Sequence, residues 1–497
     1  MYNASLAAAL ARLGHEVHLM CQERAAGELP WVDRVGTWRD GNLQVEPAPG
    51  EKRPPGKGSV TAYIPDIGGL LPVYVRDAYE GFEVKTFAEL DDAELHTYID
   101  ANVAAARDVV EAAGGVDAAL ANHLVMGPLI LARAGVRFAA KIHGSALEFT
   151  VRPNPRFLSY AAEGAEAAAA ILVGSRHTAE SLWGTLPDIG LQAKTRLGPP
   201  GVDTQRFSPK PPDEAVSAVR ALAADVGGND RAGEWGEDSA AAAAALERWA
   251  DAPGPRVAFV GKLIGSKGID LLLAAWPLVV RAHPGARLLV VAFGEGRPTI
   301  DALCAALDAG DLSACREIAE AGMVTVGADA VPLSMLESFL ASAPESYPDA
   351  ARVAAGSVAL AGSLEHDEVA RTLPAADALV FPSTFPEAFG MVAAEAAACG
   401  VLPVSADHSG AREVTRALAP ALPEAARELL AFPLGDGAVE AIADRLDRWL
   451  ALDPAIRGRT REALAARSRE LWSWERVADG VLAACAGRLD QLRPVPQ

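Results

Sequence analysis

Short apolar runs alternate with helical patterns along the first part of the chain. The runs are "VDAALANH", "VRFAAKIHG" and "AAAAILVGS", and each is followed by a segment in which apolar residues recur with helical spacing. Upstream of them, "MYNASLAAALARLG" predicts a helix that ends at Gly14, and residues 16–21 predict a short buried strand. We interpret residues 48–75, which are rich in Pro and Gly, as an elaborated loop. The alternation is typical of a parallel sheet with helices on both faces.

The same pattern stops near the middle of the chain and then restarts. Between Val202 and Pro255 the sequence is rich in Pro, Gly, acidic residues and Ala, which is typical of a junction between domains. The apolar runs then resume as "RVAFVGKL", "ARLLVVAFG", "DALVFPS", "LPVSA" and "LLAFPL". These runs predict a second parallel sheet.

The sequence therefore predicts an α/β protein with two doubly wound parallel-sheet domains. The expected regions are an N-terminal domain over 1–205, a linker or insertion over 206–254, a C-terminal domain over 255–470 with a mostly helical insertion at 299–357, and a C-terminal helix within 471–497. The helix that ends at Gly14 should complete a right-handed crossover from an earlier parallel strand. We therefore expect the first strand of the N-terminal domain, with a glycine-containing loop, to be encoded upstream of Met1.

Composition and charge narrow the classes of function. Half of the 497 residues are apolar, enough for two sizeable cores, and the formal net charge of -20 opposes non-specific binding to nucleic acid or to an anionic membrane. Five scattered cysteines show no metal-ligand spacing and favour a reducing, cytoplasmic compartment. The longest apolar stretches are too short for a transmembrane segment, and no leader precedes them. We expect neither a nucleic-acid partner nor a metal.

Polar side chains at the carboxyl ends of the predicted strands are the candidate ligand-binding residues, because ligands of open parallel sheets bind there. In the first half they are His123, His143, Ser175 and Arg176. In the second half they are Lys262, Lys267 and the loop after Phe381. Two cations in a Gly-containing loop suit a diphosphate, although solvated surface lysines are the alternative. A structural role for His143 is equally compatible with its setting.

The stretch "FPSTFPEAFGMVAAEAAACG" carries two carboxylates at the end of such a strand. Glu387 lies in the loop, and a helix is expected to begin near Gly390, where amides without intrahelical partners attract phosphate. Glu395 lies about one turn into this helix among small apolar residues. An unpartnered carboxylate would be costly on that buried side. The pattern therefore predicts a polar ligand or a buried partner for Glu395.

Glu387 and Glu395, with seven residues between them, resemble the E-x7-E signature of the retaining, nucleotide-sugar-dependent glycosyltransferases of the large family-four group. Five more blocks match in order: "LARLGHEVHLMC", "AAKIHGS", "PPGVDTQRFSP", "VGKLIGSKGIDLLLAAWPLV" with "PGARLLVVAFGEG", and "SADHSGAREV". The resemblance implies the GT-B architecture, in which two Rossmann-like domains face each other across a cleft that binds the ligand. It also implies that the last helix crosses back to the N-terminal domain.

The resemblance assigns donor-binding roles in the C-terminal domain. Glu387 contacts the sugar hydroxyls, Glu395 contacts the nucleotide ribose, and Lys267 neutralises the diphosphate. Lys262 stands where many relatives have arginine, which keeps the charge and loses the bidentate fork. The backbone of Phe389, Gly390 and Met391 lies near the phosphates.

The resemblance also assigns roles in the N-terminal domain. His143 is similar to a histidine near the reacting carbon, and His123 to one on the acceptor side, where Ser175 and Arg176 are the further candidates. The implied catalytic set is His143, Glu387 and Lys267.

The implied activity is a retaining, metal-independent, hexosyltransferase-like transfer in carbohydrate biosynthesis. The donor is a nucleoside-diphosphate sugar and the acceptor a sugar, polyol, lipid or glycan, with no cofactor besides the substrate. Three alternatives remain open. They are a GT-B nucleotide-sugar epimerase, a non-catalytic nucleotide-sugar-binding protein and a scaffold.

Overall fold

The alternating pattern of the sequence forms two α/β units in the computed structural model, which describes residues 2–51, 56–74, 81–228, 238–325 and 328–496. One unit comprises Met1–Gly201 and Trp472–Gln497, and the other comprises Val202–Leu471. The mostly parallel strand pairings of both units confirm the predicted α/β class.

The first unit begins with helix α1 and contains ten strands and five helices before the chain leaves it. The strands are β1 (Glu16–Met20), β2 (Arg34–Arg39), β3 (Asn42–Pro47), β4 (Ser59–Ile64), β5 (Leu70–Val73), β6 (Glu83–Thr86), β7 (Leu120–Asn122), β8 (Ala139–Ile142), β9 (Ile171–Val173) and β10 (Thr195–Leu197). The helices are α1 (Tyr2–Arg12), α2 (Asp92–Ala112), α3 (Gly127–Arg133), α4 (Leu158–Ala167) and α5 (Arg176–Thr185).

The second unit is built around one sheet. Its strands are β11 (Arg256–Lys262), β12 (Arg287–Phe293), β13 (Met323–Thr325), β14 (Ala328–Val331), β15 (Val358–Gly362), β16 (Ala378–Phe381), β17 (Leu402–Ala406) and β18 (Ala431–Phe432). Its helices are α6 (Pro212–Gly227), α7 (Ser239–Ala250), α8 (Ile269–Ala282), α9 (Arg297–Ala309), α10 (Leu312–Ala321), α11 (Ser334–Ser342), α12 (Tyr347–Ala354), α13 (His366–Thr372), α14 (Met391–Ala398), α15 (Ser409–Leu418), α16 (Glu424–Arg427), α17 (Ala438–Ala451) and α18 (Pro454–Trp472).

The chain then returns to the first unit with α19 (Trp474–Cys485) and β19 (Arg493–Pro494). Helix α19 packs on α1, and an ion pair of 3.0 Å joins Arg12 to Glu475. Strand β19 pairs antiparallel with β10. The C-terminal segment is thus part of the core of the first unit.

Two sheets and a small two-stranded pair, β5–β6, form the first unit. The sheet orders are β1-β4-β2-β3 and β19-β10-β9-β8-β7. Helix α1 packs on both, because Ala7 contacts the cluster around Val60 of β4 while Leu6 contacts the cluster around Leu172 of β9. The first turn of α1 therefore lies close to the strand ends of the second sheet.

The main sheet of the second unit has the order β15-β12-β11-β16-β17-β18, and all its pairings are parallel. Every strand therefore presents its carboxyl end at one edge, where ligands of such sheets bind. Five of the six strands coincide with the apolar runs of the sequence. The sixth, β15, falls directly after the residues interpreted as a helical excursion.

Two expectations about loops differ from the structure. The central part of residues 48–75 is not a loop, because β4 pairs with both β1 and β2 and buries Val60 and Ala62 completely. The predicted insertion 299–357 contains four helices, α9 to α12, and the antiparallel pair β13–β14. Its helix α12 packs on α8 of the second unit. The buried Tyr347 hydroxyl of α12 donates to Ala274 O of α8 at 2.6 Å.

The segment predicted as a linker or insertion, 206–254, contributes two helices to the second unit. Helix α7 packs on α6 and on β15. Trp249 near its end is fully buried, and its indole N–H lies 3.1 Å from Val257 O and 3.2 Å from Arg287 O at the starts of β11 and β12. An aromatic anchor with satisfied polarity is typical of a core element. Helix α7 therefore belongs to the folded unit.

Replacing Trp249 with Ala should lower the free energy of unfolding by about 3–5 kcal/mol, because a large buried side chain leaves a cavity in the core. Urea titration followed by circular dichroism measures the change. Glu247→Ala on the exposed side of the same helix is the matched control, with an expected change within about 0.5 kcal/mol. Equal small effects of both variants would mean that α7 is not integral to the unit.

Candidate functional site

An ion pair joins the loops that follow two neighbouring strands of the second unit. Lys267 follows β11, Glu387 follows β16, and these strands pair in parallel. Lys267 Nζ donates to Glu387 Oε1 at 2.6 Å, and both side chains are largely shielded from solvent, with 27% and 19% exposed. The Ser383 hydroxyl also donates to Glu387 Oε1 at 2.6 Å. Within the described residues, Glu387 Oε2 has no hydrogen-bond partner, so it can accept from a ligand.

A close approach of the two loops makes this geometry possible. Gly268, directly after Lys267, has a φ of 63°, and a Cβ there would lie 2.1 Å from Pro382 O. Only glycine fits this position, because a side chain would clash and the backbone is left-handed. The Thr384 N–H donates to Ser266 O at 2.9 Å and ties the loops together.

The backbone of Glu387 is fixed by the turn that precedes α15. The Glu387 N–H donates to Ser409 Oγ at 2.8 Å, and Ser409 Oγ lies 3.2 Å from His408 Nδ1. His408 Nε2 lies 2.7 Å from Ser383 O, which as a carbonyl must accept. The proton on Nε2 leaves Nδ1 to accept from the Ser409 hydroxyl. The loop after β16 and the turn before α15 are therefore coupled through one histidine.

Helix α14 begins directly after this loop. Gly390 and Phe389 are buried, Met391 is partly exposed, and among the described residues no side-chain cap closes the first turn. Uncapped amides at a helix start form a site that suits an anion. The predicted phosphate-facing residues Phe389, Gly390 and Met391 therefore surround such a helix start, next to the Lys267–Glu387 pair.

Glu395 lies one turn further along α14 and has a protein partner. Only 5% of the residue is exposed, and its Oε1 accepts from His366 Nε2 at 2.8 Å. This hydrogen bond raises the pKa of His366 above its ordinary value, although burial opposes the shift. The sequence predicted that Glu395 needs a polar ligand or a buried partner, and the structure places the partly buried His366 against it.

Lys262 and a cavity lie at the same edge of the sheet. Lys262 is exposed at the end of β11, with its Nζ 5.8 Å from the centre of the Phe293 ring. A cavity of about 290 Å³ lies at the ends of β12 and β15, and its lining includes Gly294, Arg297 and Ser363. The carboxyl edge of this sheet therefore combines cationic side chains, a helix start and a space for a small molecule.

In the first unit, the structure brings His123 and His143 together at the ends of β7 and β8. Their ring centres are 5.0 Å apart. His143 Nε2 lies 2.7 Å from Asn122 Oδ1, which can only accept, so Nδ1 of this imidazole carries the free lone pair. Burial lowers the pKa of His123 to about 4, and burial together with Lys141 and His123 lowers that of His143 well below its ordinary value. Both rings are therefore neutral near pH 7.

The same cluster contains Lys141, which sequence reasoning missed. Lys141 in β8 is 1% exposed, and its Nζ donates to Gly198 O at 2.5 Å. Burial lowers the pKa of this ammonium to about 7. The Tyr2 ring lies 4.8 Å from the His143 ring and covers the lysine.

The other two predicted acceptor-side residues have structural partners. Ser175 is fully buried, and its hydroxyl accepts from the Thr178 N–H at 3.2 Å as the N-cap of α5. Arg176 is half exposed and pairs with Glu180 at 2.6 Å on the same helix. The Ser175 hydroxyl therefore has a structural role as a helix cap.

Sequence reasoning also missed His366, Ser383, His408 and Ser409. Two of them were open to prediction, since Ser383 follows the apolar run of β16 and His408 follows that of β17. His366 was missed because β15 was not predicted, so the strand-end rule could not be applied to it. Ser409 was not open to prediction, because its role depends on a turn geometry with a φ of 47°.

Several further features bear on the class of protein. All five cysteines are free. None of the helices in the described part of the chain combines the length and the hydropathy that a membrane span needs. The described residues contain no group of three or more His, Cys, Asp or Glu side chains placed to hold a metal ion.

The parallel sheets and this strand-end site define an α/β protein of the GT-B class, and solved structures share the fold. Anabaena HepE in complex with UDP aligns over 96% of this chain and 100% of its own, with 15% identity and a TM-score of 0.52. The OtsA apo structure aligns over 97% of this chain and 95% of its own, with 10% identity and a TM-score of 0.53. At such identities the similarity establishes the fold alone.

Sequence comparisons match parts of the chain. Residues 349–470 match the family model described as Glycosyl transferases group 1. A D-inositol 3-phosphate glycosyltransferase of Segniliparus rotundus is 30% identical over 49% of this chain and 42% of its own length. A protein of the same name from Mycobacterium bovis (strain BCG / Pasteur 1173P2) is 37% identical over 24% of this chain and 22% of its own length. This chain therefore matches less than half the length of either relative.

Replacing Gly410 with Ala should disturb the turn that holds Glu387. The new Cβ would lie 2.6 Å from Phe389 Cα and N and 2.7 Å from Glu387 O, so the loop must move. We expect a loss of about 1–3 kcal/mol in the free energy of unfolding, as for other overpacked sites. Thermal unfolding measures it.

Gly458→Ala provides the control in the same unit. Gly458 lies inside α18, and its Cβ would have no neighbour within 4 Å. An alanine there should stabilise the protein by up to about 1 kcal/mol, because it favours the helix. If Gly410→Ala behaved in the same way, the turn would not be tightly packed against the Glu387 loop.

Proposed function

We propose that the protein is a retaining glycosyltransferase that moves a sugar from a nucleoside diphosphate to an acceptor. The observation that carries the proposal is the Lys267–Glu387 pair, 2.6 Å long, beside the start of α14. Glu387 and α14 lie within the residues that match the group 1 model. A cation, an anion-binding helix start and a carboxylate with an available oxygen are what a sugar diphosphate requires.

In this proposal the second unit binds the donor. Lys267, Lys262 and the first amides of α14 neutralise the diphosphate, Glu387 accepts from sugar hydroxyls, and Glu395 accepts from the ribose. The lysine ammonium has three donors and uses one on Glu387, so it can keep the pair and still bind a phosphate oxygen. The same pair holds the carboxylate in position for the sugar.

Charge stabilisation is the main catalytic contribution in this mechanism. The bond from the anomeric carbon to the phosphate oxygen breaks, and a bond to the acceptor oxygen forms on the same face. The leaving phosphate takes the proton of the acceptor hydroxyl, so neither glutamate acts as a nucleophile. The fixed cations and amides stabilise the developing charge on the diphosphate. We propose that they do so without a metal ion or a further cofactor.

We assign the acceptor side to the first unit. His143 and His123 are neutral near pH 7, and the lone pair on His143 Nδ1 can accept from a hydroxyl of the bound sugar or acceptor. Arg176 and Ser175 are retained only as second candidates because both have partners in the fold. The five free cysteines fit a reducing, cytoplasmic location.

The names of the relatives suggest which substrates to test first. Structures of Anabaena HepE contain UDP and glucose, or UDP-glucose, which makes UDP-sugars the first donors to test. The D-inositol 3-phosphate glycosyltransferases make phosphorylated polyols the first acceptors. Thermal-shift screening of nucleotide sugars followed by transfer assays tests the proposal. Binding without transfer or hydrolysis would favour a non-catalytic binding protein, and change at C2 of the donor without an acceptor would favour an epimerase.

Replacing Lys267 with Ala should weaken donor binding and slow transfer by roughly a hundredfold, the typical cost of one preorganised stabilising group. Steady-state kinetics with the best donor of the screen measures both effects. Lys57→Ala, a change of an exposed lysine in the other unit, is the control and should leave the rates unchanged. Identical kinetics for the two variants would show that Lys267 does not contribute to donor binding or transfer.

Replacing Glu387 with Gln keeps the shape of the side chain and removes its charge. We expect a folded protein with a strongly reduced turnover, because the sugar hydroxyls lose an ionic acceptor. Melting curves and single-turnover rates separate the two effects. Glu424→Gln on exposed α16 is the control, and an unfolded Glu387→Gln protein would show instead that the Lys267–Glu387 pair is structural.

A further inference from the structure

Glu395 is a buried carboxylate that depends on a single histidine. In the described part of the chain its ion pair is with His366, whose Nε2 lies 2.8 Å from Oε1. The helix around it is made of alanines, and Ala393, Ala396 and Ala397 are fully buried. An ionised carboxylate in such surroundings is costly without a donor. His366 supplies that donor from another helix, α13.

We propose that His366 is a positioning residue for nucleotide binding: it orients the carboxylate of Glu395 so that this group accepts from the ribose hydroxyls of the donor. The inference rests on the proposed function. Glu395 Oε1 is used by the histidine, whereas Oε2 has no partner among the described residues and remains for the ligand. A fixed first oxygen reduces the rotamer entropy that binding would otherwise cost.

The imidazole packs against an aromatic ring, and ion pairs hold the helix that carries it. The Phe207 ring, fully buried, lies 4.8 Å from it at an angle of 48°. Asp367, next in the chain, forms an ion pair with Arg206. One turn further along α13, Arg371 pairs with Asp225 of α6 at 2.8 Å. These contacts tie α13 to its neighbours and place the imidazole beside Glu395.

The charges around His366 determine how pH acts. The hydrogen bond to Glu395 is the largest cause of its raised pKa, and the charges of Glu395 and Asp367 act in the same direction. Burial and Arg206 oppose the shift. Below the raised pKa the ring is an imidazolium, and the bond to Glu395 is charge-assisted. As the pH rises through that pKa, the imidazole loses its charge and the bond to the carboxylate weakens. Affinity for a ribonucleotide should fall in the same range.

The deciding experiment compares nucleotides with and without ribose hydroxyls. The full chain is titrated calorimetrically with UDP, GDP and ADP, each beside its 2′,3′-dideoxy counterpart, over a series of pH values. His366→Ala should weaken the ribonucleotide that binds best by roughly tenfold, as expected for one lost charge-assisted hydrogen bond, and leave its dideoxy counterpart unchanged. A purely structural role would weaken both nucleotides equally.

His366→Gln keeps an amide donor and removes the titration. It should bind within about threefold of the wild type, as expected when a hydrogen bond is kept, with no pH dependence over the range in which wild-type affinity changes. If His366→Ala fails to fold, His366→Gln still tests the proposal. Tighter ribonucleotide binding by either variant would overturn the proposal, because His366 would then compete with the ligand for Glu395.

The outcomes separate this inference from the proposed function. If wild-type protein binds a nucleoside diphosphate and Lys267→Ala weakens it, the donor site stands. Equal effects of His366→Ala on ribose and dideoxyribose forms then overturn the positioning role alone. If none of the three diphosphates binds to the wild-type chain, the proposed function fails, and the role of His366 fails with it.

Discussion

The Lys267–Glu387 ion pair is the interaction on which the candidate site depends. It joins the loops after two neighbouring parallel strands, and those loops can meet only because Gly268 lies against Pro382 without a side chain. One carboxylate oxygen receives both the ammonium and the Ser383 hydroxyl. The pair therefore orders two loops. Because Oε1 of the Glu387 carboxylate is held in place, the position of Oε2 is set as well.

The same arrangement recurs at the second glutamate with different chemistry. Glu387 is partly exposed and paired with a lysine, whereas Glu395 is buried and paired with a histidine. The partner of Glu387 is an ammonium, and the partner of Glu395 is an imidazole with a raised pKa. Because this imidazole changes its charge as the pH rises through that pKa, the partner of Glu395 is variable. Two carboxylates separated by seven residues are thus stabilised by partners from different strand ends.

Much of the second unit could be predicted from the sequence because its strands are continuous apolar runs, and the strand-end rule then located Lys262, Lys267 and the Glu387 loop. The family resemblance added the E-x7-E signature, which connects Glu387 with Glu395. Strand β15 could not be found in the same way, because "VALAG" is short and follows an alanine-rich helix. His366, which follows β15, was therefore not predicted as a site residue. In the first unit, β4 was hidden because the residues before it are rich in Pro and Gly, so its apolar run was included in the loop.

The central claim is that the edge of the second sheet binds a nucleoside diphosphate between Lys267 and the start of α14. A crystal structure of the protein with the best-binding of UDP, GDP and ADP tests it most directly. We predict phosphate oxygens at roughly 3 Å from Lys267 Nζ and from the first amides of α14. A diphosphate bound elsewhere, with the loop after β16 free of ligand, would contradict the account.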